Sequence, residues 1–170
     1  MFKVGQTISY GSQGVCEILE ITEKEIGGRS LKYYVLKPVY RENNTIFVPV
    51  DNEQLTGKMR KVLSRKEIDE LIRSMPDEKA EWIDDDARRR EKYREILSSG
   101  DIKATVGVIK NLHNEQQRRK QVGKKLNQQD EILFNRAETL LYDELALVLD
   151  IKPEQVLPFI IEHIKIEEIE

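Results

Sequence analysis

The sequence predicts an α+β protein, a small antiparallel β-barrel followed by an all-α bundle of about five helices. Two observations carry this. Roughly the first fifty residues hold short runs of β-branched and aromatic residues, each bounded by turn residues. From about Ser64 the apolar residues switch to helical spacing.

The predicted strands are Thr7-Ile8-Ser9-Tyr10, Gly14 to Ile21, Tyr33 to Lys37 and Thr45 to Val50. Gly11-Ser12-Gln13-Gly14, Gly27-Gly28-Arg29 and Asn43-Asn44 supply the turns, because glycine and asparagine tolerate positive φ. Strands this short and this closely spaced fit a strongly bent barrel of Tudor or SH3 type. Ser64 and Glu67 make a capping box for the helix through Ile68, Leu71 and Ile72. Pro76 at a first helical position predicts a second helix running to Ser98 or Ser99. Gly100 ends it, and Asp101 caps a third helix with Ile102, Val106, Ile109 and Leu112 on its inner stripe. Asn127 and Asp130 open a fourth, with Leu133, Ala137, Leu140, Leu141, Leu145 and Val148 on one face. Pro153 opens a fifth, with Val156, Leu157, Ile160, Ile161 and Ile164. Pro158 predicts that this helix either starts late or kinks, since an interior proline costs about 3 kcal/mol. The domains are expected at 1–55 and 64–170, with a linker at 56–63.

Composition narrows the function. No apolar run approaches the roughly 20 residues that span a bilayer, and the N-terminus carries no signal-peptide pattern, so the chain reads as cytoplasmic. One cysteine, Cys16, excludes an internal disulfide and a multi-cysteine metal site. A net charge of −3 argues against a general nucleic-acid coat but leaves room for a local basic patch. His113 and His163 have no metal-ligand spacing. Gly11-Ser12-Gln13-Gly14-Val15 is a turn with no helix after it to cradle a phosphate. Consecutive carboxylates such as Asp84-Asp85-Asp86 point apart on a helix and cannot converge on one ion. The chain thus reads as a non-enzymatic protein with no cofactor and no small-molecule substrate.

Binding features concentrate in residues 82–94. The only tryptophan, Trp82, precedes a basic cluster of Arg88, Arg89, Arg90, Lys92 and Arg94. On a continuous helix the three aspartates pair with the three arginines four residues on, each pair contributing about 0.2–0.5 kcal/mol, which describes a solvated face without any nucleic acid. The apolar stripe running back from Tyr93 is interrupted at Arg89 and Asp86, so Trp82 either packs separately with Met75, Ala80 and Ile83 or is exposed. A second cluster, Arg118-Arg119-Lys120 with Lys124 and Lys125, lies between the third and fourth helices. Two clusters in one helical domain point to a shared polyanion-binding face. Compensating acids gather at Glu162, Glu167, Glu168 and Glu170.

Phe2-Lys3-Val4-Gly5-Gln6-Thr7-Ile8-Ser9-Tyr10 with Gly14-Val15 resembles the opening of CarD-like proteins. Tyr34-Val35-Leu36-Lys37 and Val48-Pro49-Val50-Asp51-Asn52 are similar to that family's later barrel strands. Trp82, Ser99-Gly100-Asp101 and Asp143-Glu144-Leu145-Ala146 extend the resemblance through the helical half. The resemblance implies a Tudor-like module, shared with the transcription-repair coupling factor, that binds the RNA polymerase β subunit. Lys24, Ile26, Phe47 and Pro49 are its implied contacts, with Lys24 and Phe47 standing where the family has arginines. It also implies a helical domain that stabilises the open promoter complex at the upstream edge of the bubble. Trp82 would be the minor-groove wedge, and Arg88, Arg89, Lys92, Lys124 and Lys125 the DNA-binding cations. Ile83-Asp84-Asp85-Asp86 reads as an inserted helical turn, which would move the tryptophan about 5.4 Å while keeping its face. Two other functions are open to this sequence. One is a polymerase-bound adaptor without DNA contact. The other is an RNA-binding module using Tyr33, Tyr34 and Tyr40.

Overall fold

The structure, a computed structural model, describes residues 1–41 and 44–169, the side chains of 165–169 excepted. The expected Asn43 turn, Glu170 and the side chains of Glu167 and Glu168 lie outside the described residues. The chain divides into two compact units, Met1–Val62 and Leu63–Glu170.

The first unit is a five-stranded antiparallel sheet, ordered β4-β3-β2-β1-β5. Its strands are β1 (Thr7–Tyr10), β2 (Gly14–Ile26), β3 (Arg29–Pro38), β4 (Ile46–Pro49) and β5 (Met59–Lys61). A short helix, α1 (Glu53–Thr56), is capped by the Asn52 side chain, which accepts from the Leu55 amide at 3.1 Å. The residues expected to form a linker at 56–63 thus include β5, which pairs with β1. β2 and β3 form one long hairpin around Gly27 and Gly28, both at positive φ. A bulge between Ile18 and Glu20 puts the extra residue, Leu19, out of pairing and 42% exposed. Ile8, Tyr10, Cys16, Ile18, Tyr34, Leu36, Val48 and Met59 fill the core of this unit. Burial pushes the Cys16 thiol up to about 12, so it is a neutral packing group.

The second unit holds α2 (Arg65–Ser74), α3 (Asp86–Ser99), α4 (Ile102–Gln121), α5 (Gln128–Leu149) and α6 (Pro153–Ile169). The Ser64–Glu67 capping box opens α2, with both reciprocal bonds present. Gly100 ends α3 at φ 77°, and Asp101 caps α4 by accepting from the Ala104 amide. Two apolar clusters hold the unit together. One joins α2, α5 and α6 through Ile68, Leu71, Leu145 and Val156, with Val106 of α4. The other joins α3, α4 and α5 through Tyr93, Leu97, Leu112, Leu133 and Phe134.

One expectation is corrected and one is narrowed. The second helix does not run from Pro76. Met75–Asp77 make one 3₁₀ turn, residues 78–85 are non-helical, and α3 begins only at Asp86. The reason is local: the Asp85 carboxylate accepts from the Arg88 amide at 2.8 Å and so caps a new helix. The apparent insertion at Ile83–Asp86 is therefore not a helical turn, and the tryptophan ahead of it is on no helix. The fifth helix, of the two alternatives, does not start late. It begins at Pro153 and passes through Pro158, whose side chain faces solvent.

Candidate functional site

In the sheet unit, pairing fixes which side chains share a face. Val35 pairs with Glu20 and with Phe47, and Tyr33 pairs with Thr22 and with Pro49. Lys24 and Ile26 follow Thr22 at the two-residue period of a strand, so Lys24, Ile26, Phe47 and Pro49 all lie on the side away from the core. Ile26 is 55% exposed and Phe47 is 45% exposed. Lys24 Nζ lies 3.8 Å from the centroid of the Phe47 ring, a cation–π contact. Tyr33 meets the same ring edge-on at 6.5 Å. Phe47 belongs to β4, the edge strand. The sheet thus offers an apolar face with a cation held over its aromatic centre. It is not a row of free aromatics, since Tyr34 is buried in the core.

In the helical unit, Trp82 sits on the non-helical strap of residues 78–85. Several side chains fasten that strap. Lys110 Nζ donates to the carbonyls of Met75 at 2.7 Å, Pro76 at 3.2 Å and Glu78 at 2.6 Å. Asn111 Nδ2 donates to the Glu81 carbonyl at 3.5 Å and to the Tyr93 hydroxyl at 3.1 Å. Gly107 lets the strap come close: a Cβ there would stand 3.0 Å from that of Ala80. Arg89 Nη1 donates to the Ile83 carbonyl at 3.2 Å, and its guanidinium lies 4.4 Å over the Trp82 ring. Trp82 itself is half-buried. Its environment falls between full burial and full exposure, with a charged group over the ring.

The basic residues separate into two kinds. Arg88 and Lys92 on α3, and Lys124 and Lys125 between α4 and α5, are exposed. Lys124, Lys125 and Lys120 line one groove of about 600 Å³ with Gln116 and Gln117. Arg89 is corrected. It is 2% exposed, and Nη2 donates to both oxygens of the equally buried Asp130, at 3.0 and 3.3 Å. Arg90 grips the same carboxylate through Nε and Nη2, at 3.0 and 3.3 Å. Asp86 adds a carboxylate 2.9 Å from Arg89 Nη1. Held by internal acids, the Arg89 guanidinium is turned to the interior of the unit. The Arg89 hydrogen bond keeps the Asp86 carboxyl below its ordinary value. Of the second cluster, Arg118 and Arg119 are paired with Glu115, whose carboxyl is held low first by its hydrogen bond to Arg118.

Sequence reasoning missed Asp130 as a site residue. It read as a helix-opening polar residue, and no local spacing links it to an arginine forty or more positions away. Lys110 and Gly107 carried no signal either, because only the strap's path across α4 gives them a role.

A sheet unit with an outward apolar face, followed by a helical unit with a braced aromatic and exposed lysines and arginines, defines a two-module binding protein. The family model for the CarD-like/TRCF RID domain matches residues 2–63, and that for the CarD C-terminal domain matches residues 70–160. The chain belongs to the CarD family, and its sheet unit is the family's Tudor-like module. It is an RNA-polymerase-interacting transcription regulator, from a family of non-enzymatic proteins.

Proposed function

We propose that the outward face of β2, β3 and β4 docks on the polymerase β subunit, while the helical unit engages promoter DNA at the upstream fork of the bubble and prolongs the open complex. Trp82 is the group that distinguishes melted from paired DNA. Arg88, Lys92, Lys124 and Lys125 hold phosphates, and Arg89 does not join them.

The observation that carries this reading is the fastening of Trp82. This indole belongs to neither apolar cluster of the helical unit and sits half-buried on a strap held by α3 and α4. The physical logic is a population shift. Phosphate contacts made equally to closed and open complexes give affinity without changing their ratio. A contact available only in the melted state changes it. Base–aromatic stacking contributes about 1–3 kcal/mol, enough to lengthen open-complex life from several-fold to about a hundredfold. Anchoring through the sheet supplies effective concentration, so few exposed cations suffice, in keeping with a net charge of −3.

The test is open-complex lifetime on a promoter template, with and without the protein. Trp82→Ala is expected to retain polymerase binding and lose the stabilisation. An unchanged lifetime would remove Trp82 from the mechanism. DNA crosslinking through the helical unit separates this function from that of an adaptor that never touches DNA.

A further inference from the structure

Arg89 is an expensive residue to keep. Its guanidinium is buried, and its Nε is the one buried side-chain nitrogen or oxygen without a hydrogen-bond partner among the described residues. Buried ion pairs are often matched or surpassed in stability by apolar groups of the same volume. Stability alone therefore gives no reason for a cation here, and its geometry supplies one. One end of the guanidinium is fixed on α5 by the buried Asp130. The other end holds the backbone of Ile83, the residue next to Trp82, and the flat group between them covers the indole. A planar cation held at both ends fixes the plane of the ring that it covers.

The covered face cannot stack on a base. Trp82 also lines a groove of about 420 Å³ with Asp84, Asn111, Asn114, Glu115 and Arg118, and Arg89 is not among the lining residues. Resting on the reading of Trp82 given above, we propose that Arg89 and Asp130 are positioning residues for Trp82, holding the indole so that a single face is offered to one unpaired base over this groove. Ordering the ring before DNA arrives removes a cost that binding would otherwise bear.

Trp82 is the only tryptophan, so its emission reports directly on the clamp. In the full-length protein, Arg89→Met keeps the bulk of the side chain and leaves Asp130 bonded to Arg90. It should shift the emission to the red, raise quenching by acrylamide, leave the helical circular dichroism intact and shorten open-complex lifetime roughly two- to tenfold. Arg90→Gln removes a partner from the same carboxylate without touching the ring, and should change emission and lifetime little. Should Arg89→Met fail to fold, Arg89→Lys takes its place, keeping the charge but not the fork, with the same losses expected. Unaltered emission and quenching in the Arg89 variant would overturn the proposal. So would equal effects from the Arg89 and Arg90 variants, which would reduce the cluster to a structural ion pair. If the lifetime resists Arg89→Met but falls with Trp82→Ala, positioning is wrong and the Trp82 reading survives. If Trp82→Ala has no effect, the underlying reading fails.

Discussion

Removing the Asp130 carboxylate leaves two guanidinium groups without their shared partner, and Asp130→Ala should destabilise the helical unit by about 3–5 kcal/mol. The magnitude follows from the surroundings. Asp130 is 2% exposed and accepts four hydrogen bonds, two from Arg89 and two from Arg90. Each close ion pair is worth about 4 kcal/mol at an effective dielectric near 20, and much of that is cancelled by desolvation while both partners are present. Once the carboxylate is gone, the desolvation of the cations stays and the attraction does not. Arg89 retains Asp86 and the Ile83 carbonyl, and Arg90 retains Gln129, which keeps the loss near the lower end of the range. Asp130→Asn, which keeps one acceptor and the shape, should cost less than Asp130→Ala. Urea unfolding followed by circular dichroism gives the measurement. With an m-value of roughly 2 kcal/mol/M, the midpoint should fall by about 1.5–2.5 M at unchanged slope. A loss under about 1 kcal/mol, the range of solvent-exposed pairs, would show that this buried cluster behaves like a surface one and refute the argument.

Three further outcomes are expected. Phe47→Ala removes the ring that carries Lys24 and meets Tyr33, so polymerase affinity should fall about tenfold or more while the sheet's circular dichroism holds; a binding titration decides. Gly107→Val drives a branched side chain against Ala80 and should cost about 1–3 kcal/mol, with a shift in Trp82 emission as the strap moves; Gly107→Ala should cost less, since alanine recovers about 1 kcal/mol of helix propensity. Below about pH 4, the Glu115 and Asp86 carboxyls, held low by Arg118 and Arg89, make stability fall. The unfolded chain takes up protons first, at about 4.3 for glutamate and 3.9 for aspartate, so the contribution is whole above those values and is lost as pH drops through the lower folded ones. Glu115→Gln should flatten the acid limb of a pH–stability curve, and an unchanged limb would count against the pairing.

Features written in adjacent residues were legible in the sequence. The capping box at Ser64 and Glu67, the left-handed stop at Gly100 and the Asp101 cap each need only a few neighbours, and each stands in the structure as expected. The error at Pro76 has the same origin. A proline suits the first turn of a long helix and of a 3₁₀ turn alike, and the Asp85 cap that decides between them competed with a reading of three aspartates as helical ion-pair partners. Asp86 pairs forward along the helix, to Arg89 and Arg90. Within the candidate site, the sequence displays Trp82 and the cations as residue types, and the structure leaves Arg88, Lys92, Lys124 and Lys125 exposed. The withdrawal of Arg89 was not legible, because its partner comes from a distant helix and burial is a tertiary fact.

The unpaired Leu19 has a consequence for sidedness. Upstream of it the even-numbered residues of β2, Cys16 and Ile18, point into the core. Downstream the even-numbered ones, Thr22, Lys24 and Ile26, point the other way, because one residue was skipped in the count. Were Leu19 paired in regular alternation instead of left out, the lysine and isoleucine would turn inward and Ile21 and Glu23 outward. Which residues of β2 this module turns outward thus depends on one position being left out of the ladder.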